Sequence, residues 1–386
     1  MTTKITSYER LHAAWNLEKA DRVPVAPINC YIIPYLAGLS IREMFYEPEK
    51  LIQATVDCLD ILGDFVDPNI TTFDHLSIIG KSGWDQATLD WRIWDDFPPK
   101  GNIPSFYEKC TLNDYDDAME SGFATILYNN KLKEVFDRSL EDMLYYEFEY
   151  KKAYADAWRK FVAEHEIPLL MGGRVCHPLD LLQYYRGLDQ LTEDIFERPD
   201  KVKEMSEFLL DYELMRGMED AMIMGAGEVP GAETVFFVNG GPPGMSKSIF
   251  DEFFWPYAKR AVDILVDRGF KVYCHWDNDL THCLETIKGI TERLPKGKVL
   301  IDFEKTNMKK AKEALGGRVC IYGNVPSSLL VYGTPEEVDA YCKQLIEDCA
   351  EGGGYILGTE CEVPWDSKRE NVRAIVEAAS KYGQYA

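Results

Sequence analysis

No stretch of this sequence reaches the roughly 20 consecutive apolar residues of a membrane-spanning helix; charges interrupt every apolar run well before that length. Met1-Thr-Thr-Lys-Ile-Thr-Ser7 also lacks the apolar core of a secretory signal. Both absences point to a cytoplasmic chain. Basic charge is scarce, with 42 Lys and Arg against 65 Asp and Glu and a formal net charge of −23. That balance argues against nucleic acid or an anionic membrane as a partner, and against a polyanionic substrate. Paired cysteines are missing as well: ten are scattered without a single C-x-x-C. They read as reduced, mostly buried fillers rather than a disulfide framework. No linker rich in Pro, Gly or Ser divides the 386 residues, and no internal repeat or low-complexity tract appears. One domain with an insertion fits better than two.

What is present is a rhythm. Thr6-Ser-Tyr-Glu9 is a capping box that opens a helix. Short apolar runs follow at 23–28, 65–70, 167–171, 234–238, 271–274, 299–302, 319–322 and 354–357, with helical periodicity between them. Eight such strands separated by helices predict an α/β fold, a (β/α)8 TIM barrel, rather than a doubly wound sheet. Between about 80 and 145 the rhythm breaks around Trp84, Trp91, Trp94, Phe97 and Tyr107, and residues 124–128 look like an edge strand. This aromatic-rich insertion after the second strand reads either as a lid or as a surface elaboration packed on the barrel wall.

Polar residues gather at the far ends of the runs, where parallel barrels build their sites. The run 271–274 leads into His275, Trp276, Asp277, Asn278 and Asp279. His275 and Asp277 are candidates for metal ligands or acid/base groups; the other reading is a hydrogen-bonded loop histidine followed by helix N-terminal carboxylates. Alternation along a strand turns Trp276 away from them and makes it a packing residue. The second run delivers Asp74, and the third His177, able to polarise an oxygen or to brace the loop before Pro178. Asn239 ends the fourth run, able to bind substrate or complete a turn. The last run ends in Glu360-Cys361-Glu362, whose carboxylates read as ligands, acids or solvated loop charges.

Several blocks together resemble the uroporphyrinogen decarboxylase superfamily: Gly187-Leu-Asp-Gln-Leu-Thr-Glu-Asp-Ile-Phe-Glu-Arg-Pro199, Ser246-Lys-Ser-Ile-Phe-Asp-Glu-Phe-Phe-Trp-Pro256, Gly323-Asn-Val-Pro326, Gly333-Thr-Pro-Glu-Glu-Val338 and Gly352-Gly-Gly-Tyr-Ile-Leu357. The resemblance runs from about residue 6 to residue 383 and implies a barrel with its site at the strand ends. True decarboxylases of this superfamily carry an arginine-rich segment after the first strand, whereas here Asn29-Cys-Tyr-Ile-Ile-Pro-Tyr-Leu36 holds no arginine. Asp74 matches the aspartate with which those enzymes organise pyrrole nitrogens.

The chain is closer to the cobamide-dependent methyltransferase branch, which holds zinc with a His-x-Cys pair and a cysteine after the last strand. His275 matches the histidine and Cys361 the final cysteine, while Asp277 stands where the first cysteine belongs. The resemblance thus implies a zinc site of His275, Asp277 and Cys361. Exchanging a thiolate for a carboxylate makes the metal a harder Lewis acid, suited to an oxygen such as that of an aryl methyl ether. Asp277, Asp74 and His177 are the expected catalytic groups, with Asn239 and Glu360 against the substrate. None of the six histidines has Asp two residues before it, so the Asp-x-His-x-x-Gly corrinoid signature is missing. The corrinoid must then arrive on a separate protein. The expected activity is the first methyl transfer of an O-demethylase system; the alternative is a metal-free decarboxylase acting on a smaller acid.

Overall fold

The computed structural model describes residues 5–40, 43–44, 47–66, 112–127, 129, 139–239, 241–242 and 244–385. Seven strands form one parallel sheet: β1 (Val25–Ala26), β2 (Gly173–Cys176), β3 (Thr234–Asn239), β4 (Lys271–Trp276), β5 (Val299–Phe303), β6 (Cys320–Val325) and β7 (Tyr355–Thr359), in the order β1-β7-β6-β5-β4-β3-β2. The eighth place, between β1 and β2, belongs to the start of the predicted second strand. Asp64 N–H donates to Val25 O (2.7 Å), Val66 N–H to Pro168 O (3.1 Å) and Leu170 N–H to Val66 O (2.9 Å). Val66 and Leu169 pair as a parallel bridge. The circle is that of a (β/α)8 barrel. Residues 67–70 of that strand, Asp74, and most of the insertion expected at 80–145 lie outside the described residues.

Asp64 ties the first turn of the circle together. Only 2% exposed, it accepts from Arg10 (2.7 Å), from Arg22 (2.8 and 2.9 Å) and from the Val25 N–H (2.9 Å). Two guanidiniums and a backbone amide thus satisfy a carboxylate that would otherwise be expensive to bury. The Thr6–Glu9 capping box forms as expected at the start of the helix Ser7–Trp15.

Two expectations need correction. Residues 124–127 of the expected edge strand are helical instead: Phe123–Leu127 is a short helix after Gly122, and residue 128 lies outside the described residues. The third strand lies at Gly173–Cys176, later than 167–171. Gly172 and Gly173 read as punctuation that ends a strand, yet their lack of a side chain serves close approach. A Cβ on Gly173 would sit 2.1 Å from Gly217 O in the long helix Pro199–Met224, and one on Gly172 would sit 2.0 Å from Ala232 O. The fourth to eighth strands also run one to three residues beyond their apolar runs, which carries His275 and Trp276 into β4.

Alternation along the strands divides the core in two. Tyr273, Tyr322, Tyr355 and Phe236 are buried, and the first two rings lie 5.5 Å apart, from the strands β4 and β6 on either side of β5. Tyr322 reaches Ala26 O through its hydroxyl (2.5 Å) and Tyr355 reaches Gly323 O (2.6 Å), so these large rings bury no unpaired hydroxyl. Tyr322 needs Gly358 opposite, since a Cβ there would fall 2.0 Å from its ring. Trp276 packs among Phe254 and Phe303, edge to face, as its place in the alternation predicts. No helix of the described residues is long and apolar enough to cross a membrane.

The glycine contact between β2 and the long helix makes a direct prediction. Gly217→Ala sets a methyl 2.4 Å from Arg174 O and 2.5 Å from Val175 Cγ2, and such overpacking costs about 1–3 kcal/mol. Thermal unfolding followed by circular dichroism should show a midpoint lowered by several degrees with the helical signal at room temperature unchanged. An unaltered midpoint would mean that the helix draws back freely.

Candidate metal centre

Strand β4 presents Tyr273 and His275, two residues apart, on one face. The parallel register sets His275 opposite Asp302 of β5 and Val238 of β3. Asp277 follows two residues beyond His275. Cys361 comes from the loop after β7, which three hydrogen bonds hold: Glu360 N–H to Val325 O (3.0 Å), Val363 N–H to Ile28 O (2.8 Å), and Thr359 Oγ1 donating to Cys361 O (2.6 Å).

These two strand ends bring His275, Asp277 and Cys361 together, with one ligand atom of each lying within 4.8 Å of the others. Cys361 Sγ is 3.7 Å from His275 Nε2, and Asp277 Oδ1 is 2.8 Å from the same nitrogen. Asp277 Oδ1 is shielded from solvent and makes no hydrogen bond to a described residue, so its closeness to the ring is not an aligned bond. Zinc bonds of about 2.0–2.3 Å put tetrahedral ligand atoms roughly 3.3–3.8 Å apart. The three donors therefore fit one zinc ion with small side-chain shifts. His, Cys and carboxylate together suit zinc, with a fourth position left open.

The other ring nitrogen is engaged. His275 Nδ1 lies 2.5 Å from Oδ2 of Asp302, which is wholly buried and also accepts from the Tyr273 hydroxyl (3.0 Å). Burial alone would lower the imidazole's pKa, but Asp277 and then Asp302 outweigh it and hold the ring well above its ordinary 6.5. Burial pushes Asp302 up to about 6, against the pull of His275. Burial, then the charge of Glu362, pushes the Cys361 thiol well above its ordinary 9.0. Glu362 Oε2 accepts from that thiol at 2.9 Å. An incoming metal must displace these protons, because its ligands bind deprotonated.

Glu304 and Lys305 extend the site beyond β5. Burial, then Asp277, raises the Glu304 carboxyl to about 7 despite Lys305 and His275. Lys305 Nζ bridges Glu360 Oε2 (2.8 Å) and Glu304 Oε1 (3.3 Å). Glu360 is 7% exposed, and its other oxygen accepts from the Ser327 N–H at 2.8 Å. The expected substrate contact is thus already tied to a lysine and to the start of the helix Ser327–Tyr332. Asn239 ends β3 opposite Trp276 in the register.

His177 is not gathered into this group. Fully buried, it caps the helix Pro178–Tyr185 through Nδ1, which accepts from Leu179 N–H (3.1 Å), while Nε2 faces Phe254 O at 3.0 Å and the ring stacks on Phe254. Its brace reading describes it, and both nitrogens are committed. Asp302, Tyr273 and Glu304 are the site residues that sequence reasoning missed. A lone aspartate closing the apolar run 299–302 was the available signal.

A sequence model of the family described as Uroporphyrinogen decarboxylase (URO-D) matches residues 140–382. Among solved structures, a methyltransferase from Methanosarcina mazei shares the fold with a TM-score of 0.65 at 16% identity, over 98% of this chain and 99% of that chain. No protein of curated function matches by sequence.

The buried His177 carries a pH dependence whose sign is set. Burial lowers its pKa from 6.5 to about 3, so the native state holds it neutral while the unfolded chain protonates it. Its stabilisation is complete above about pH 6.5 and is lost as pH falls towards 3, by about 1.4 kcal/mol per unit. His177→Asn keeps a capping side chain and does not titrate. Thermal midpoints between pH 7 and pH 5 should therefore fall less steeply in this variant than in wild type; parallel slopes would remove the assignment.

Proposed function

Because the chain belongs to the uroporphyrinogen decarboxylase family, we propose that it is a zinc-dependent methyltransferase of that family, moving a methyl group from an aryl methyl ether to a corrinoid carried by a separate protein. The observation that carries this reading is the convergence of His275, Asp277 and Cys361, with one ligand atom of each within 4.8 Å of the others. The fold it shares with a methyltransferase is in keeping with it.

His275 and Cys361 would hold the ion from β4 and the β7 loop, and Asp277 would be its third ligand. Bound there, zinc supplies a Lewis acid that draws electron density from the ether oxygen. The bond between methyl carbon and oxygen would break with its electron pair left on the oxygen as phenolate or alkoxide, the methyl group passing to the cobalt(I) corrinoid of the partner, which would supply both electrons of the new bond. Asp277 sets the character of the acid: a carboxylate donates less charge than the thiolate it replaces, so the site favours an oxygen leaving group over a thiol. The alternative of a metal-free decarboxylase rests on Asp74, with His177 as an optional second group, and His177 is committed to a helix cap.

Metal analysis of protein purified without chelator should give one zinc per chain in wild type, and His275→Ala and Cys361→Ala should each lose it while folding normally. Stoichiometric zinc in both variants would sink the site.

Asp277 separates two roles by opposite metal contents. As a ligand, Asp277→Ala releases zinc, and Asp277→Cys restores zinc but impairs methyl transfer from a methoxylated aromatic to a cobalt(I) corrinoid protein, read from the cobalt absorbance. As a proton donor, Asp277→Asn would keep zinc and lose turnover. Full activity in Asp277→Ala would exclude both.

A further inference from the structure

We propose that Asp302, backed by Tyr273, is the positioning residue of this centre: it fixes the ring of His275 with Nδ1 protonated, leaving Nε2 to face the metal. The proposal rests on the zinc reading above and deepens it.

The geometry comes from three strands. His275 and Asp302 are register partners on β4 and β5, so the carboxylate and the ring face each other across the barrel wall without a loop between them. Oδ2 receives two donors, the ring at 2.5 Å and the Tyr273 hydroxyl at 3.0 Å. Tyr273 lies one alternation before His275 on the same strand, so the same face supplies both donors. Phe236 of β3 closes the arrangement, 5.3 Å from the imidazole and 4.9 Å from the Tyr273 ring. A ring held at Nδ1 by a buried carboxylate and walled by an aromatic has one remaining donor direction, Nε2, which is where Cys361 and Asp277 gather.

The other carboxylate oxygen supports the assignment. Asp302 is wholly buried and its Oδ1 finds no partner among the described residues. A carboxylate kept only for packing would be better replaced by an apolar side chain, because an unsatisfied buried oxygen is destabilising. Gly323 leaves room for it, since a Cβ there would stand 3.3 Å from Oδ1. Partners of this kind orient a ligating histidine and raise its basicity, and their loss typically weakens metal binding by about 10–100-fold.

The test uses the full chain, stripped of metal and titrated with zinc against a chromophoric chelator, for wild type, Asp302→Asn and Tyr273→Phe. Asp302→Asn should bind zinc about 10–100-fold more weakly, and Tyr273→Phe several-fold more weakly. Reloading with cobalt(II) adds a readout that simple packing would not move: the Cys361 thiolate-to-cobalt band should persist in both variants while the ligand-field bands shift. Zinc affinity within twofold of wild type in Asp302→Asn, with an unchanged cobalt spectrum, overturns the proposal. Should that variant fail to fold, Tyr273→Phe decides: several-fold weaker binding supports the proposal, and an affinity within twofold of wild type overturns it. A wild-type chain that takes up no zinc overturns the metal reading itself, and this assignment with it.

Discussion

The parallel register between β4 and β5 is the constraint on which the strand ends depend. A slip of one residue would turn His275 outward among the helices and bring Trp276 to the barrel face, because strand side chains alternate. What prevents the slip is the bulk on each side of the wall. Trp276 fits only between Phe254 and Phe303, and Tyr273 only where its hydroxyl meets Asp302. The position of the candidate site is therefore a consequence of core packing, two layers deep, rather than of the loops that carry Asp277 and Cys361.

Burial then sets the chemistry of the group. His275 and Asp302 are buried and Cys361 partly so; each charge is felt strongly by its neighbours, and proton affinities move upward on all three. Such a cluster binds protons or a metal, and the two compete. Glu362 reinforces this at Cys361, while Lys305 bridges Glu304 and Glu360 nearby. In the proposed enzyme Asp277 is the departure that matters. It keeps the ligand count that zinc needs while making the ion harder, which suits an ether oxygen better than a thiol.

The barrel and the metal group differ in how they could be read from the chain. Apolar runs of strand length, separated by helical periodicity, announced the barrel without help from any single residue. One error came from glycine. Gly172 and Gly173 resembled the end of a strand, and only the neighbouring Gly217 and Ala232 backbones show why no side chain fits there. The helix Phe123–Leu127 was misread for a different reason: a five-residue apolar run does not distinguish strand from helix by periodicity.

His275, Asp277 and Cys361 were legible because ligand-type side chains at strand ends are uncommon and the family pattern marks them. His177 looked equivalent, and only its surroundings reveal a buried cap with both nitrogens engaged. Asp302 was the reverse case, an ordinary acid at the end of an apolar run until the register set it against His275. Local sequence thus determined which segments are strands, which are helices, and which chemical groups stand at their ends. Tertiary structure alone decided which of those groups meet, because residues 86 positions apart come within 3.7 Å only through closure of the barrel, a contact that no local pattern encodes.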